Sequence, residues 1–503
     1  MSTEHQAEVL PDLSPAHALL SAAHQHPDRL SLIDAKSARS FTLAQSADCV
    51  RILAWYFTTS GLSAGDRIVV CAPNSVWHFL IHAAASWIHA VSVPVSPLLP
   101  EAVRERLYDE VAPALIIGQR SFKPHTSNVL RCLSFDELDT LSREAGSNCP
   151  ADFIPLPCHD ETAALVFTSG TSGKMRAAQL RHANLWWASQ CFRDGFEYSP
   201  ASAICGVVAP LSHIGGFNGT SMDIFTHGGT VVVFSSFQPL SVVRGIEKWR
   251  ISIMFVVPAM CHMLLNAAYE NNVDLSSWTH PLVGGDAMGE SLYSKMREAG
   301  LCPVHVWGMT ELGGAGTFLS PEAWQRHPGA IGYPFPYIEL RLVDPQGNPV
   351  DEAGQSGSIE VRGPGVAACY WGDDPRDTDE WFSTSDVGVF DSDMCLHILG
   401  RASRVINTGG ELVSPIRVEE ALRSLECVAD ACVVGLADER WGQIVAAALV
   451  PATHEDLSLE NVRNLVKDSL APWQHPRRIR WVESLPKTTT GKVDFSQVQA
   501  LFA

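Results

Sequence analysis

The feature that most limits the fold of this chain is a repeated alternation. Short apolar runs rich in Val and Ile are separated by stretches of helical periodicity. The runs include 67–72, 114–117, 163–167, 229–234 and 251–257, and the helical stretches include 75–88 and 241–249. The runs are continuously apolar rather than alternating, which suits strands covered on both faces. This predicts α/β architecture with substantial sheet. No repeat of fixed period is visible. The longest apolar stretch, 79–99, is broken by His82, His89, Pro94 and Pro97. It reads as a buried helix followed by a strand, not as a membrane span.

The character of the chain changes after residue 330. The segment 333–360 is rich in Gly and Pro and holds two alternating runs, 339–343 and 357–362. The run Gly400-Arg401-Ala402-Ser403-Arg404 then precedes a final block with its own periodicity: a helix at 416–424, strands at 431–435 and 444–450, and a helix at 458–470. The predicted division is a large N-terminal domain of stacked βα sheets over 1–399, with a small antiparallel, β-barrel-like subdomain at 332–399. A hinge at 400–404 joins it to a small α+β lid domain at 405–503.

Charge narrows the partners. The 503 residues carry 36 Lys and Arg against 55 Asp and Glu, a net charge of −19. Nucleic acid and anionic membranes reward clustered cations, so neither is expected. Residues 1–12 show neither the basic nor the apolar region of a secretory signal. Thirteen scattered cysteines without a Cys-x-x-Cys pattern argue against a disulfide framework or a zinc site. A reducing cytoplasm is the expected setting.

Five local patterns carry chemistry. In Phe167-Thr168-Ser169-Gly170-Thr171-Ser172-Gly173-Lys174, glycines, hydroxyls and a lysine follow a buried strand. Small residues let backbone N–H groups approach a phosphate, and lysine adds charge. It is not a Walker A loop, because Thr168 stands where the first glycine is required. A plain surface turn is the bland alternative. Trp307-Gly308-Met309-Thr310-Glu311 could equally cap a helix. Asp386, ending Trp381-Phe382-Ser383-Thr384-Ser385-Asp386, could bond a ribose diol or cap a turn. Gly400-Arg401 and the basic tail 486–492, ending in Lys492, complete the set.

Together and in this order, the five patterns resemble the adenylate-forming superfamily. That family contains acyl- and aryl-CoA synthetases, the adenylation domains of peptide synthetases and firefly luciferase. The resemblance runs from about Leu30 to the C-terminus. It is greatest to aryl-CoA ligases such as 4-chlorobenzoate-CoA ligase, with 381–387 and 434–442 contributing. It implies a two-step reaction. A carboxylate attacks the α-phosphorus of ATP and expels pyrophosphate, and a second nucleophile then captures the acyl-AMP. A carboxylate is already ionised at pH 7, so the first step needs positioning and positive charge rather than a general base.

Carried over position by position, the resemblance assigns roles as follows. Thr168, Ser169, Gly170, Thr171, Ser172, Gly173 and Lys174 clasp the β- and γ-phosphates. Thr310 meets the α-phosphate and Glu311 holds Mg²⁺. Trp307, where tyrosine is usual, stacks on adenine, with Gly308 and Met309 beside it. Gly284, Gly285 and Asp286 lie along the purine. Asp386 accepts from the ribose hydroxyls near Arg401. Lys492 reaches in from the lid. His213, within Pro210-Leu211-Ser212-His213-Ile214-Gly215-Gly216-Phe217, flanks the substrate carboxylate, although a lone histidine is more often a satisfied core residue. Ile214, Phe217, Phe255, Val283, Val306, Gly308, Met309 and Gly313 match pocket positions. The pair Gly313-Gly314 suggests a substrate bulkier than benzoate. Asp223 is read as structural. After a rotation at the hinge, Thr408-Gly409-Gly410-Glu411 would line a tunnel for a thiol arm.

Three departures stand out. Lys174-Met175-Arg176-Ala177 replaces the usual Lys-Pro-Lys-Gly, Ser385 replaces the glycine before Asp386, and Ser403 replaces a hinge Asp or Lys. ATP and Mg²⁺ are implied for the first step. The expected activity is activation of an aryl, alicyclic or medium hydrophobic acid and its transfer to CoA as a thioester; an amine or amino acid, or a carrier-protein thiol, is the alternative acceptor, and the choice between monomer and homodimer stays open. A non-catalytic nucleotide-binding scaffold is the competing reading.

Overall fold

The computed structural model describes residues 12–503 apart from 119–128, 130, 169–174, 351, 378, 453–456 and 488–492. It has four sheets. The largest has nine strands in the spatial order Tyr333–Pro334, Thr317–Leu319, Val304–Trp307, His280–Gly284, Ile253–Val256, Ile204–Val207, Thr230–Val233, Leu30–Asp34 and Ser40–Thr42. The six from Val304–Trp307 to Leu30–Asp34 run parallel, flanked by antiparallel edges. The seven-stranded sheet has the order Cys369–Tyr370, Arg176–Arg181, Thr162–Thr168, Val91–Val95, Arg67–Cys71, Leu115–Ile117 and Arg131–Leu133. The continuously apolar runs of the sequence thus supply parallel, doubly covered strands to both sheets.

The helix Trp77–Trp87 explains how the two sheets stack. Each of its residues is buried, so it has no face to offer water. Its Phe79, Leu80 and Ile81 share one core with Ile68 and Val70 of the seven-stranded sheet and Val207, Val231 and Ile253 of the nine-stranded one. Burial of each such side chain stabilises by roughly 2 kcal/mol. His78 and His82 lie in the same helix, and burial pushes their pKa values down to about 4 and about 3, so both are neutral at pH 7.

The antiparallel part takes the form of an open four-stranded sheet, Glu339–Val343, Ser356–Arg362, Phe382–Phe390 and Leu396–Arg401. Between its second and third strands the chain makes an excursion. There Cys369–Tyr370 pairs with Arg176–Arg181 of the seven-stranded sheet. The third strand bulges: Ser358 pairs with Val387 but Glu360 pairs with Ser383. Within the bulge Ser385 has φ +62°, a left-handed backbone at a residue with a β-carbon. The fourth strand runs through Gly400 and Arg401, which pair with Val387 and Asp386. The first two residues of the expected hinge therefore belong to the sheet, and the turn that follows spans 402–404.

The final block has its own core, in which Val418 and Leu422 of the helix Pro415–Arg423 meet Val433, Val445 and Leu449 of the long hairpin Val428–Asp438 and Gly442–Pro451. All thirteen cysteines are unbridged. No helix among the described residues is long and apolar enough to cross a membrane.

Asp223 is fully enclosed and ties its own helix, Ser221–Thr226, to the helix His182–Phe196 and the turn that follows it. It accepts from Arg193 Nε at 2.8 Å, from Arg193 Nη2 and from the Tyr198 hydroxyl at 2.8 Å, and lies 3.1 Å from His227 Nδ1. Burial alone would raise its carboxyl, but hydrogen bonds from Arg193 and His227 outweigh it and hold the group below the ordinary carboxylate range. A group depressed in the folded state stabilises above its unfolded pKa and stops doing so as pH falls through its folded one. This contribution is therefore complete at neutral pH and lost only in strong acid. Asp223→Ala is predicted to cost about 3–5 kcal/mol, because it strands a largely buried guanidinium and a phenol; an unshifted denaturant melt at pH 7 would contradict this. At the bulge, Ser385→Gly is predicted to keep or raise the melting temperature, whereas Ser385→Val lowers stability by about 1–2 kcal/mol. Thermal melts of the two variants decide it, and equal melts would show that the left-handed backbone carries no strain.

Candidate active site

Parallel sheets place ligands off the carboxyl ends of their strands. In the nine-stranded sheet four of these six ends are Val207, Val256, Gly284 and Trp307. The segments leaving them carry most of the residues that the sequence singled out. Trp307 leads through Gly308 and Met309 into a short 3-10 turn, Thr310–Leu312. A β-carbon on Gly308 would collide with the Gly314 carbonyl, so the turn closes only with glycine there.

This turn buries Glu311, which is 5% exposed. The Tyr370 hydroxyl donates to Glu311 Oε1 at 2.6 Å, and the Ala367 N–H to the Glu311 carbonyl at 2.7 Å. Burial raises the Tyr370 phenol well above its ordinary value and the bond to Glu311 raises it further, so it stays a donor. Among the described residues no Lys, Arg or His lies within ion-pair reach of Glu311.

Asp386 lies in the bulge described above, 6% exposed. Its Oδ1 is 3.0 Å from Arg401 Nε, and its Oδ2 accepts from Trp307 Nε1 at 3.2 Å. Arg401 also donates to the Thr384 carbonyl at 2.7 Å, and the Asp386 N–H bonds Thr384 Oγ1 at 3.1 Å. Burial pushes the Asp386 carboxyl up, while Arg401 and then the Trp307 N–H oppose the rise. The Trp307 ring packs over Gly316 and joins the core of the antiparallel sheet with Leu312 and Ile359. Tryptophan at 307 therefore holds the carboxylate that it neighbours.

On the other side of the turn, the Phe255 ring is wedged between two glycines. A β-carbon on Gly215 would sit 2.7 Å from it, and one on Gly284 3.1 Å. Ile214 begins the short helix Ile214–Phe217, and His213, exposed, precedes it. A β-carbon on Gly314 would lie 3.5 Å from Phe192 and 3.8 Å from Ile214. Phe255, Ile214, Gly284, Val306, Gly308 and Gly314 thus converge. Gly285 and Asp286 are exposed just beyond the strand end.

Four positions do not join this group, and the first, Met309, packs with Leu312 and Ile359 in the core of the antiparallel sheet. Val283 packs on the opposite face of the sheet, with Val256, Leu264 and Met296. Strand alternation causes this, since Gly284 faces Phe255. Phe217 is 2% exposed and lies edge-on to His82 at 4.9 Å, in the main core. Gly313 has φ +60°, and its β-carbon would press on Ala188 at 2.8 Å. It serves the close approach of the helix His182–Phe196, and room toward Phe192 comes from Gly314. Thr168 ends its strand and donates to the Arg176 carbonyl at 3.4 Å, across the pairing that flanks residues 169–174. Residues Ser169 to Lys174 and Lys492 lie outside the described residues.

Two groups were not foreseen. Tyr370 reaches Glu311 only through the strand excursion, which no local pattern announces. In the final block, Trp441 packs against the Gly409–Gly410 turn, where a β-carbon on Gly409 would lie 2.7 Å from the indole. Two guanidiniums flank that indole, Arg440 at 4.9 Å and Arg477 at 4.4 Å. One further cluster, His327, Asp391 and Cys395, brings potential metal ligands together. Asp391 already accepts from His327, His397 and the backbone N–H groups of Asp393 and Cys395. The cluster is a self-satisfied clasp on the hairpin.

A model of the AMP-binding enzyme family matches residues 19–371, and one of the AMP-binding enzyme C-terminal domain matches residues 417–492. A feruloyl-CoA synthase from Amycolatopsis sp is 31% identical over 474 residues, 92% of this chain and 94% of that protein. Indoleacetate–CoA ligase of Aromatoleum aromaticum is 28% identical over 482 residues, again 92% and 94%. Among solved structures, o-succinylbenzoate CoA synthetase of Bacillus subtilis, in complex with its acyl-adenylate intermediate, superposes with a TM-score of 0.84 at 25% identity, covering 96% of this chain and 97% of that one. The amide bond synthetase McbA from Marinactinospora thermotolerans does so with a TM-score of 0.84 at 26% identity, covering 98% and 100%. The chain belongs to the AMP-binding enzyme family, the adenylate-forming ligases.

Proposed function

We propose that this ligase activates a hydrophobic carboxylic acid, aryl, alicyclic or medium-chain, as an acyl-AMP with loss of pyrophosphate, and passes the acyl group to CoA. The observation that carries the reading is the convergence of Glu311, Trp307, Asp386 and Arg401 at the strand ends, beside an apolar group formed by Ile214, Phe255 and Val306. The carboxylate pair Glu311 and Asp386 suits a nucleotide in two ways. Asp386, steadied by Arg401 and Trp307, offers acceptor lone pairs to ribose hydroxyls. Glu311 is a buried carboxylate without a counter-cation among the described residues, and that donor chemistry fits Mg²⁺. When bound with ATP, the ion supplies charge neutralisation at the phosphates. Lys492 is assigned to the α-phosphate and the attacking carboxylate.

The acceptor is argued from the final block. The glycine at 409 lets the Trp441 indole pack against the turn 409–410, and Arg440 and Arg477 set cations about that ring. That combination suits the nucleotide end of CoA, a purine carrying phosphates. Relatives named as CoA ligases support this reading. An amine acceptor is the second reading, favoured by the likeness to an amide bond synthetase and by Ser403 at the turn 402–404.

The test is an incubation with ATP, Mg²⁺ and a panel of acids, with and without CoA, read by mass. Acyl-CoA supports the first reading; acyl-AMP that accumulates and is discharged only by amines supports the second. Lys492→Ala is predicted to lower adenylation about 10²–10³-fold, read by ATP–pyrophosphate exchange, and an exchange rate close to wild type would reject the assignment. Trp441→Ala is predicted to raise the KM for CoA about tenfold, with a much smaller loss in exchange. An equal loss in both would place Trp441 in the general fold instead.

A further inference from the structure

Glu311 poses a problem that its immediate surroundings do not solve. A buried carboxylate is costly unless it is paired and hydrogen-bonded. Among the described residues it has one side-chain donor, the Tyr370 hydroxyl at 2.6 Å, and no cation. Tyr370 is itself held. The Arg176 guanidinium lies 3.8 Å above its ring, and Arg176 is ion-paired with Asp373. Arg176 stands directly opposite Thr168 in the strand pairing, at the exit of the phosphate loop. A cation over the ring draws on its π-density and makes the phenol a stronger donor. A continuous chain therefore joins the loop stem to the buried carboxylate: Arg176, Tyr370, Glu311.

We propose that Tyr370 and Arg176 are positioning residues that orient Glu311 for the divalent cation carried by ATP and link that carboxylate to the stem of the phosphate loop. This rests on Glu311 as the metal-holding group in the reading above. The phenol fixes Oε1, so the carboxylate presents its other oxygen in one rotational state instead of several. The arginine at 176 also gives the departure from Lys-Pro-Lys-Gly a purpose. A guanidinium lies flat on a ring and pairs with Asp373 at once, which an ammonium group does less well.

The experiment compares Tyr370→Phe, Arg176→Gln, the double variant and Glu311→Gln. Binding of Mn²⁺ to the enzyme–ATP complex without acid is followed by electron paramagnetic resonance, a readout independent of turnover. ATP–pyrophosphate exchange is titrated with Mg²⁺ in parallel. Tyr370→Phe should weaken Mn²⁺ binding and raise the KM for Mg²⁺ about tenfold, with kcat at saturating Mg²⁺ falling less than about threefold. Arg176→Gln should have a smaller effect, and the double variant should be no worse than Tyr370→Phe alone, because the two act in series. Arg176 is partly exposed, so its variant tests the chain even if Tyr370→Phe melts early. Wild-type Mn²⁺ affinity in Tyr370→Phe alongside weakened binding in Glu311→Gln would overturn the positioning role and leave the metal reading standing. Unaltered binding in Glu311→Gln would overturn the metal reading itself. A fall in kcat with no change in Mg²⁺ dependence would reduce Tyr370 to a structural part and also overturn the proposal.

Discussion

The helix Trp77–Trp87 is the constraint from which the rest of the large domain follows. With every residue buried, it needs apolar surface on all sides, and no single sheet can supply that. Two sheets close over it, and its side chains knit them into one core. Once the sheets are stacked, the ends of strands from both can meet. Glu311 leaves the nine-stranded sheet, while Thr168, Arg176 and Tyr370 belong to the seven-stranded one. The hydrogen bond from Tyr370 to Glu311 therefore spans the two sheets. The candidate site is a consequence of how the core is packed.

Much of the fold could be read from periodicity. The apolar runs at 67–72, 163–167 and 251–257 are strands, and the segment 75–88 is a helix, because burial on both faces leaves a pattern that needs no knowledge of neighbours. What periodicity cannot carry is direction. Val283 matched a pocket position, but one residue along a strand reverses the side chain, and it faces a different core. Gly313 looked like space for a substrate, although its missing β-carbon makes room for a helix. Gly400 and Arg401 looked like a hinge, and they complete a sheet. Tyr370 carried no signal at all, since its importance depends on an excursion between sheets that are far apart in sequence.

The departures from the family pattern are legible in structural terms. Ser385 occupies a backbone that favours glycine, at the bulge that aims Asp386. A strained position beside a buried carboxylate persists only where neighbours over-determine it. Here Arg401 and Trp307 hold Asp386 from two sides, and the Ala402 N–H bonds the Ser385 carbonyl at 2.9 Å. Tryptophan at 307 supplies one of those two holds through its indole N–H.

The charge of the site points the same way as its geometry. Around the strand ends the described side chains include three carboxylates, Glu311, Asp386 and Asp286, against two guanidiniums, Arg401 and Arg176. Each guanidinium is already paired, Arg401 with Asp386 and Arg176 with Asp373. A polyphosphate entering such a site alone would meet repulsion from Glu311 in a poorly solvated place, where Coulomb terms are large. The arrangement becomes favourable only when the anion arrives with its own divalent cation and when further positive charge comes from elsewhere. The resemblance to the family assigns that part to Lys174 and Lys492. The described side chains alone therefore do not supply the charge that a polyphosphate requires. That makes productive binding conditional on a nucleotide that arrives with its cation.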